Sequence, residues 1–178
     1  QARFLGAGIS VVGSGASEVT NSTIAFNDTI DGNGDGKGGG LYTSSNIALT
    51  SNTLFGNSAD SGGQIYIQDR SKDQLGRPRG DEPKVTITNT IISHHTDDIN
   101  ASPAAENCNG DTQFINDTDY NLDSGNTCQF QADTSFNDLI NTDPLLYTTL
   151  TDNGGPTETL RFDDNNSPAI DRRALSGC

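Results

Sequence analysis

Short apolar segments separated by polar turns recur along the first half of the chain. Three phrases share one pattern: NSTIAFN begins at Asn21, SNTLFGN at Ser51 and NTIISHH at Asn89. Two residues before each phrase stands an apolar residue suited to a β-strand: Val19, Leu49 and Ile87. Apolar residues alternate with polar ones, which is the period of a strand, and no helical period is seen. The pattern predicts many short strands and almost no α-helix.

A second phrase repeats beside the first and introduces glycine before a strand. It occurs at three places: Gly6–Ile9, Gly38–Leu41 and Gly62–Ile65. Leu41 and Ile65 are 24 residues apart, which is the length of one turn of a β-solenoid. Glycine also supplies the backbone conformations that a sharp corner needs. The sequence therefore predicts an all-β fold, a right-handed parallel β-helix, with Leu41 stacked over Ile65 and Leu49 over Ile87.

Equivalent residues of successive coils are expected to form ladders along the helix axis. The expected apolar ladders take two residues from each coil: Val19 and Ile24 from the first, Leu49 and Leu54 from the second, and Ile87 and Ile91 from the third. Asn27 and Asn57 occupy equivalent corners, where stacked side-chain amides can hydrogen-bond to each other. His95 takes that position in the third coil, so we expect it to interrupt the asparagine ladder.

The repeat divides the chain into two parts of one domain. Residues 1–106 are predicted to form coils with insertions at 28–37 and 69–83, and residues 107–178 to form further coils and an irregular cap. Insertions in solenoids become loops on one face, often the interacting face. Only 31% of the residues are hydrophobic. That fraction suits the thin core of a solenoid, and the short β-branched runs disfavour the alternative of disorder.

The charge balance excludes several classes of partner. The formal net charge is −14, which repels nucleic-acid backbones and anionic membrane surfaces. No apolar run is long enough for a transmembrane helix, so membrane insertion is not expected. An acidic chain rich in Asn, Ser, Thr and Gly is typical of secreted or surface-exposed proteins.

The second half of the chain carries four motifs of a different kind. They are DYNLDSGNTCQF from Asp119, DLINTDPLL from Asp138, DNGGPT from Asp152 and SPAID from Ser167. In this order they resemble the C-terminal region of bacterial parallel β-helix repeat proteins of the choice-of-anchor Q type. The resemblance implies a secreted or cell-surface protein with an anchor that follows these motifs. Here the last motif is followed by RRALSGC and no anchor, so we expect a fragment or a processed form.

The same resemblance places cysteines at two positions, Cys108 and Cys128, and so implies a disulfide between them. A bridge that closes a loop of this size stabilises a fold by about 3 kcal/mol. The alternative is two reduced thiols in a cytosolic protein, which an odd count of three cysteines does not exclude. Cys178 is left over, with its partner outside this chain or missing.

One acidic loop matches the first half of a calcium site. Asp31, Asn33 and Asp35 alternate with glycine, so their oxygens can converge on one Ca²⁺ ion. The second half of the motif is missing, because Tyr42 stands where the bidentate Glu belongs. The alternative is an ordinary acidic glycine turn.

Other polar clusters suggest chemistry less directly, and we assign no catalytic residue from the sequence. Adjacent His94 and His95 would point to opposite faces of a strand, which favours a structural role for them and for the nearby Asp97 and Asp98. Paired acids, including Asp163 and Asp164, suggest a glycosidase, but acidic pairs arise by chance in a chain so rich in Asp. The basic residues that a polysaccharide lyase would need are Arg70, Arg77 and Arg79 in the second insertion.

Two functions from different classes remain open at this level. The first is a non-enzymatic extracellular structural or adhesive module that contacts a carbohydrate or a surface ligand. The alternative is a carbohydrate-active enzyme, a lyase or hydrolase, that uses a face of the β-helix as its groove. Because the chain enters its first strand with no cap, we also expect head-to-tail self-association, which could extend into a filament.

Overall fold

The computed structural model describes residues 5–29, 34–71, 80–94, 106–131, 137–163 and 166–170. Within them lie thirteen short strands and one 3-10 turn at Thr112–Phe114. The strands, numbered β1 to β13 in chain order, are Ile9–Val11, Ala16–Thr20, Thr23–Ala25, Leu41–Thr43, Asn46–Thr50, Thr53–Phe55, Ile65–Ile67, Val85–Thr88, Ile91–Ser93, Cys108–Gly110, Ile115–Asp117, Leu122–Asp123 and Leu139–Ile140.

The strands form three parallel sheets, and each coil contributes one strand to each sheet. The first sheet has the order β1-β4-β7-β10, the second β2-β5-β8-β11 and the third β3-β6-β9-β12-β13. All ten strand pairings among the described residues are parallel. The protein is therefore a right-handed parallel β-helix with four coils and the start of a fifth, which confirms the predicted fold class.

Aliphatic ladders fill the interior, one for each sheet. Leu41 pairs with Ile65 and Leu49 pairs with Ile87, as the repeat predicts. All four side chains are fully buried. At 4.7–4.9 Å between neighbouring strands, like side chains pack directly on one another, so a few residues per coil suffice for a continuous core.

The third-sheet ladder differs from the expected one by a single residue. Ile92, not Ile91, pairs with Leu54 and is fully buried, while Ile91 pairs with Thr53 and is partly exposed. The reason is the corner before the sheet. Its first residue, Asn89, has a left-handed φ of 49° like its counterparts in the first two coils, so the inward positions are five residues apart in each of these three coils.

The part of the chain after residue 106 continues the helix before it changes character. Strands β10, β11 and β12 complete a fourth coil on the third. Beyond β13, two isolated antiparallel bridges, Leu146 with Phe162 and Thr151 with Thr159, hold a hairpin-like segment together. Among the described residues no helix is long and apolar enough to cross a lipid bilayer.

Candidate functional site

The predicted disulfide is present. The sulfur atoms of Cys108 and Cys128 are 1.99 Å apart, and both residues are buried. Cys108 stacks on Ile65 at the inward position of β10, so the bridge occupies the place of an aliphatic side chain. Together with Phe130 it covers the core of the fourth coil.

Most of the predicted metal loop lies outside the described residues. Asp31 and Asn33 belong to that part, and only Asp35 of the three is described. The backbone N–H of the next residue, Gly36, donates to the Asp60 carboxylate at 2.8 Å, which ties the end of the insertion to the second coil. No group of three His, Cys, Asp or Glu side chains converges within the described ranges. Calcium binding therefore stays a prediction.

Most residues of the other polar clusters fall outside the described ranges. His95, Asp97, Asp98, Asp164, Arg77 and Arg79 lie outside them. Arg70 donates to the hydroxyl oxygen of Tyr42 at 3.0 Å on the outer side of the first sheet. That side also holds the stacked rings of Tyr42 and Tyr66, with Lys37 bonded to the Tyr66 hydroxyl. Arg70 and Lys37 thus hold the two tyrosine rings in place.

His94 is held in place by a serine. The Ser124 Oγ accepts the His94 backbone N–H at 3.3 Å. A second hydrogen bond joins Ser124 Oγ to His94 Nδ1, 2.9 Å away. The serine thus positions both the backbone and the ring of His94, and Nε2 is the ring nitrogen that can meet a ligand.

A buried ladder of polar side chains runs along the corner between the second and third sheets. In each coil a side-chain oxygen accepts the backbone N–H of the equivalent residue in the preceding coil. The side chain of Asn52 accepts the N–H of Ser22, that of Thr90 accepts the N–H of Asn52, that of Asn121 accepts the N–H of Thr90, and that of Asp138 accepts the N–H of Asn121. Because a buried N–H without a partner is costly, this ladder fixes the corner in every coil.

The last rung of that ladder is an acid with a perturbed protonation equilibrium. Burial raises the pKa of Asp138 from its ordinary value of 3.8 to about 7. The neighbouring side chains of Asp117 and Asp119 contribute to this rise, while the Asn121 N–H, which donates to Asp138, opposes it. Below about pH 7 the Asp138 carboxyl thus keeps its proton.

The corner that follows the third sheet is open to solvent and carries rings. Phe26, Gly56 and His94 are equivalent there, because the N–H groups of Phe26 and Gly56 donate to the last strand residue of the next coil. Phe26 has a φ of 58° and Gly56 a φ of 60°. Glycine adopts this left-handed conformation freely, whereas a bulky residue is strained in it. The Phe26 side chain is nevertheless 44% exposed.

A cleft lies beside this corner, where the C-terminal segment packs on the third sheet. We call it the corner cleft. It encloses about 220 Å³, and its lining includes Phe55, His94, Asp143, Leu146, Tyr147 and Asp163. Phe26 borders it through an edge-to-face contact with Phe55, with ring centroids 5.8 Å apart. The cleft thus combines aromatic rings, two carboxylates and one imidazole.

Tyr147 separates the corner cleft from a second cavity of about 360 Å³. Its ring is 38% exposed, and the Arg161 guanidinium lies 4.5 Å from the ring centroid. That contact fixes the ring orientation at the surface. Tyr147 is thus shared by two adjacent cavities.

The sequence contained a signal for part of these sites. When the three repeated phrases are aligned, Phe26, Gly56 and His94 fall in one column, so Phe26 stands where the next coil has glycine. The ladder acceptors stand two residues before each inward residue of the third sheet. The cleft wall formed by Asp143, Tyr147 and Asp163 belongs to no repeat, so its position could not be derived.

Comparison with family models, with curated proteins and with solved structures finds no match to this chain.

Proposed function

We propose that this protein is an extracellular or cell-surface structural module with an adhesive role. The observation that supports this role best is the outer side of the second sheet. The outward positions of β2, β5 and β8 form a flat surface that spans successive coils and carries mostly short side chains, with Glu18 as the exception. A flat surface suits contact with an extended partner, whereas enzymes enclose a small substrate in a concave site.

A column of threonines runs along this surface, one in each coil. Thr20, Thr50 and Thr88 are paired in register, and the hydroxyls of Thr88 and Thr118 contact each other. The neighbouring column consists of Glu18, Ala48, Thr86 and Asn116. Hydroxyl groups at the regular strand spacing present donors and acceptors in a fixed row.

The disulfide supports the extracellular part of the proposal. Disulfides persist in oxidising compartments and are rare in the cytosol, so the Cys108–Cys128 bridge favours export. Membership of the choice-of-anchor Q type agrees with that location and remains part of the proposal.

We extend the proposal to self-association. Among the described residues β1, β2 and β3 each have a sheet neighbour on one side only. Unpaired strand edges are templates for pairing with another chain, so a second copy could stack on the first coil head to tail. Sedimentation velocity at rising concentration tests this. A single monomer peak throughout would contradict it.

A carbohydrate-active enzyme remains the second candidate, because one observation favours it. Asp138 has a pKa raised to about 7 and lies beside Asp117, and a glycosidase likewise places a carboxyl of raised pKa, the general acid, near a second carboxylate. Against this, Asp138 is only 6% exposed and binds the backbone as a rung of the corner ladder. A substrate could not reach it without unfolding the corner.

One experiment separates the two functions. The whole protein is passed over polysaccharide-coated and cell-wall-coated surfaces in a microbalance, and the same polysaccharides are assayed for new reducing or unsaturated ends. We expect retention without product. Thr50→Glu with Thr88→Glu should lower retention, because two carboxylates disrupt the flat surface, whereas the exposed Thr157→Glu should not. Product formation would favour the enzyme, and unchanged retention of the double variant would contradict the proposed surface.

A further inference from the structure

We infer that the corner cleft binds a neutral oligosaccharide, an inference that rests on the proposed adhesive function and names its ligand class. The argument starts from exposure. Three large hydrophobic residues are exposed among the described residues: Val12, Phe26 and Tyr147. Two of the three border the corner cleft. Exposed rings gathered at one cavity indicate a binding surface more strongly than rings scattered over the molecule.

The strained backbone at Phe26 gives a second, independent reason. The equivalent residue of the next coil is Gly56, with nearly the same φ, so the corner itself is satisfied by glycine. A bulky side chain in this conformation costs stability, and its ring is not used to fill the core. Strain that the fold does not need, on an exposed ring, is typical of a functional position.

The spacing of the column leaves room for a flat ligand. Phe26 and His94 are two coils apart, which is roughly 9–10 Å along the axis. Gly56 lies between them and has no side chain. A sugar ring could therefore enter between the two rings, beside Phe55, which lines the cleft.

The polar groups of the cleft match a hydroxyl-rich ligand. Asp143 and Asp163 offer carboxylate oxygens that accept hydrogen bonds, and the His94 imidazole offers a further polar group beside them. The apolar C–H face of a sugar packs on an aromatic ring, while its hydroxyls bind the carboxylates. Two carboxylates in a chain of net charge −14 repel uronates and sulfated sugars. The ligand is thus neutral.

The adjacent cavity extends the site beyond one sugar unit. Tyr147 lines both cavities, and Asn153 and Thr149 line the second one. A chain of sugar units could cross Tyr147 from one cavity to the other, with amide and hydroxyl groups along its path. This favours an oligosaccharide over a monosaccharide.

The test is saturation-transfer NMR on the whole protein with cellohexaose, maltohexaose and mannohexaose, and with hexagalacturonate as the anionic comparator. We expect at least one neutral hexamer to bind at millimolar concentration and to outcompete hexagalacturonate. Phe26→Gly and Tyr147→Ala should each weaken that binding by about tenfold or more. Val12→Ala, which removes exposed apolar surface elsewhere, should leave it unchanged.

Phe26→Gly is the decisive variant, because it should fold at least as well as the parent. The variant introduces the residue type found at Gly56 and removes the backbone strain at position 26. It loses one ring contact with Phe55. A melting temperature that does not fall, together with lost saccharide binding, supports the site. Binding that survives both ring variants would overturn it, as would no binding of any neutral hexamer.

The same samples keep the two proposals apart. If no saccharide binds while the protein still adheres to coated surfaces, the cleft inference fails and the adhesive function stands. If a hexamer binds at the cleft and is cleaved, the cleft inference stands and the non-enzymatic function fails.

Discussion

The first and second coils share one register but differ in how deeply they are buried. All three residues of β4 are buried in the second coil, whereas Ile9 and Val11 of β1 stay partly exposed. Val19 is partly exposed, while its partner Leu49 has no exposed surface. Within the described residues the second coil has a neighbour on each side and the first has one. Burial in a solenoid is therefore a property of the stack and not of the coil's own sequence.

The largest expected effect comes from truncating equivalent core residues in the two coils. Leu49→Ala should lower the free energy of unfolding by about 2–5 kcal/mol, because a fully buried side chain leaves a cavity. Val19→Ala should cost about 1 kcal/mol or less, since its methyl groups are partly in water already. Chemical denaturation of both variants measures the difference. Equal losses would show that the first coil is as well covered as the second.

The next effect tests the other end of the described coils. Replacing Cys108 and Cys128 by serine should lower stability by about 3 kcal/mol and remove the end of the core. Amide hydrogen exchange should show β10 and β12 losing protection before β5 does. Cys178→Ser serves as the control. Non-reducing mass spectrometry that finds both thiols free in the parent would refute the bridge.

Part of this architecture could be predicted from the sequence, because it depends on near-identical units. The partners Leu41 with Ile65 and Leu49 with Ile87 follow from the repeat length alone. The Asn27–Asn57 ladder also follows. The backbone N–H and the side-chain amide of Asn27 both donate to the Asn57 side-chain oxygen. The sequence does not show which of the adjacent residues Ile91 and Ile92 faces the core, because both isoleucines suit a strand. Only the corner geometry decides between them.

The candidate sites could be predicted far less well. The cleft joins a corner column of the repeat with the Asp143–Asp163 segment, which is brought there by tertiary packing. The raised pKa of Asp138 depends on burial under neighbouring coils, which no local pattern encodes. The threonine column of the second sheet could not be predicted either, because insertions of unequal length hide its spacing in the sequence.

A smaller effect distinguishes the last corner rung from the earlier, uncharged ones. Between pH 4 and 7 the folded state keeps the proton on Asp138 that the unfolded state has released, so stability falls as pH rises through this window. Asp138→Asn should flatten this part of the pH profile. Its amide can donate to Asp117 and still accept the Asn121 N–H. Thermal melts from pH 4 to pH 8 measure it, and a parallel fall in parent and variant would contradict the raised pKa of Asp138.

The smallest expected effect concerns the insertion that joins the first two coils. If Asp31, Asn33 and Asp35 bind Ca²⁺, the ion should stabilise the protein by about 1.4 kcal/mol at ten times its Kd. For a domain of this size that is a rise of about 3–6 °C in melting temperature. Protection should increase at the first coil, because the Gly36–Asp60 hydrogen bond connects the insertion to the second. Asp31→Asn with Asp35→Asn should abolish the shift while Asp152→Asn keeps it. Identical melts with calcium and with a chelator would show that the loop is an ordinary acidic turn. The first coil would then be stabilised by its neighbours β4–β6 and not by calcium.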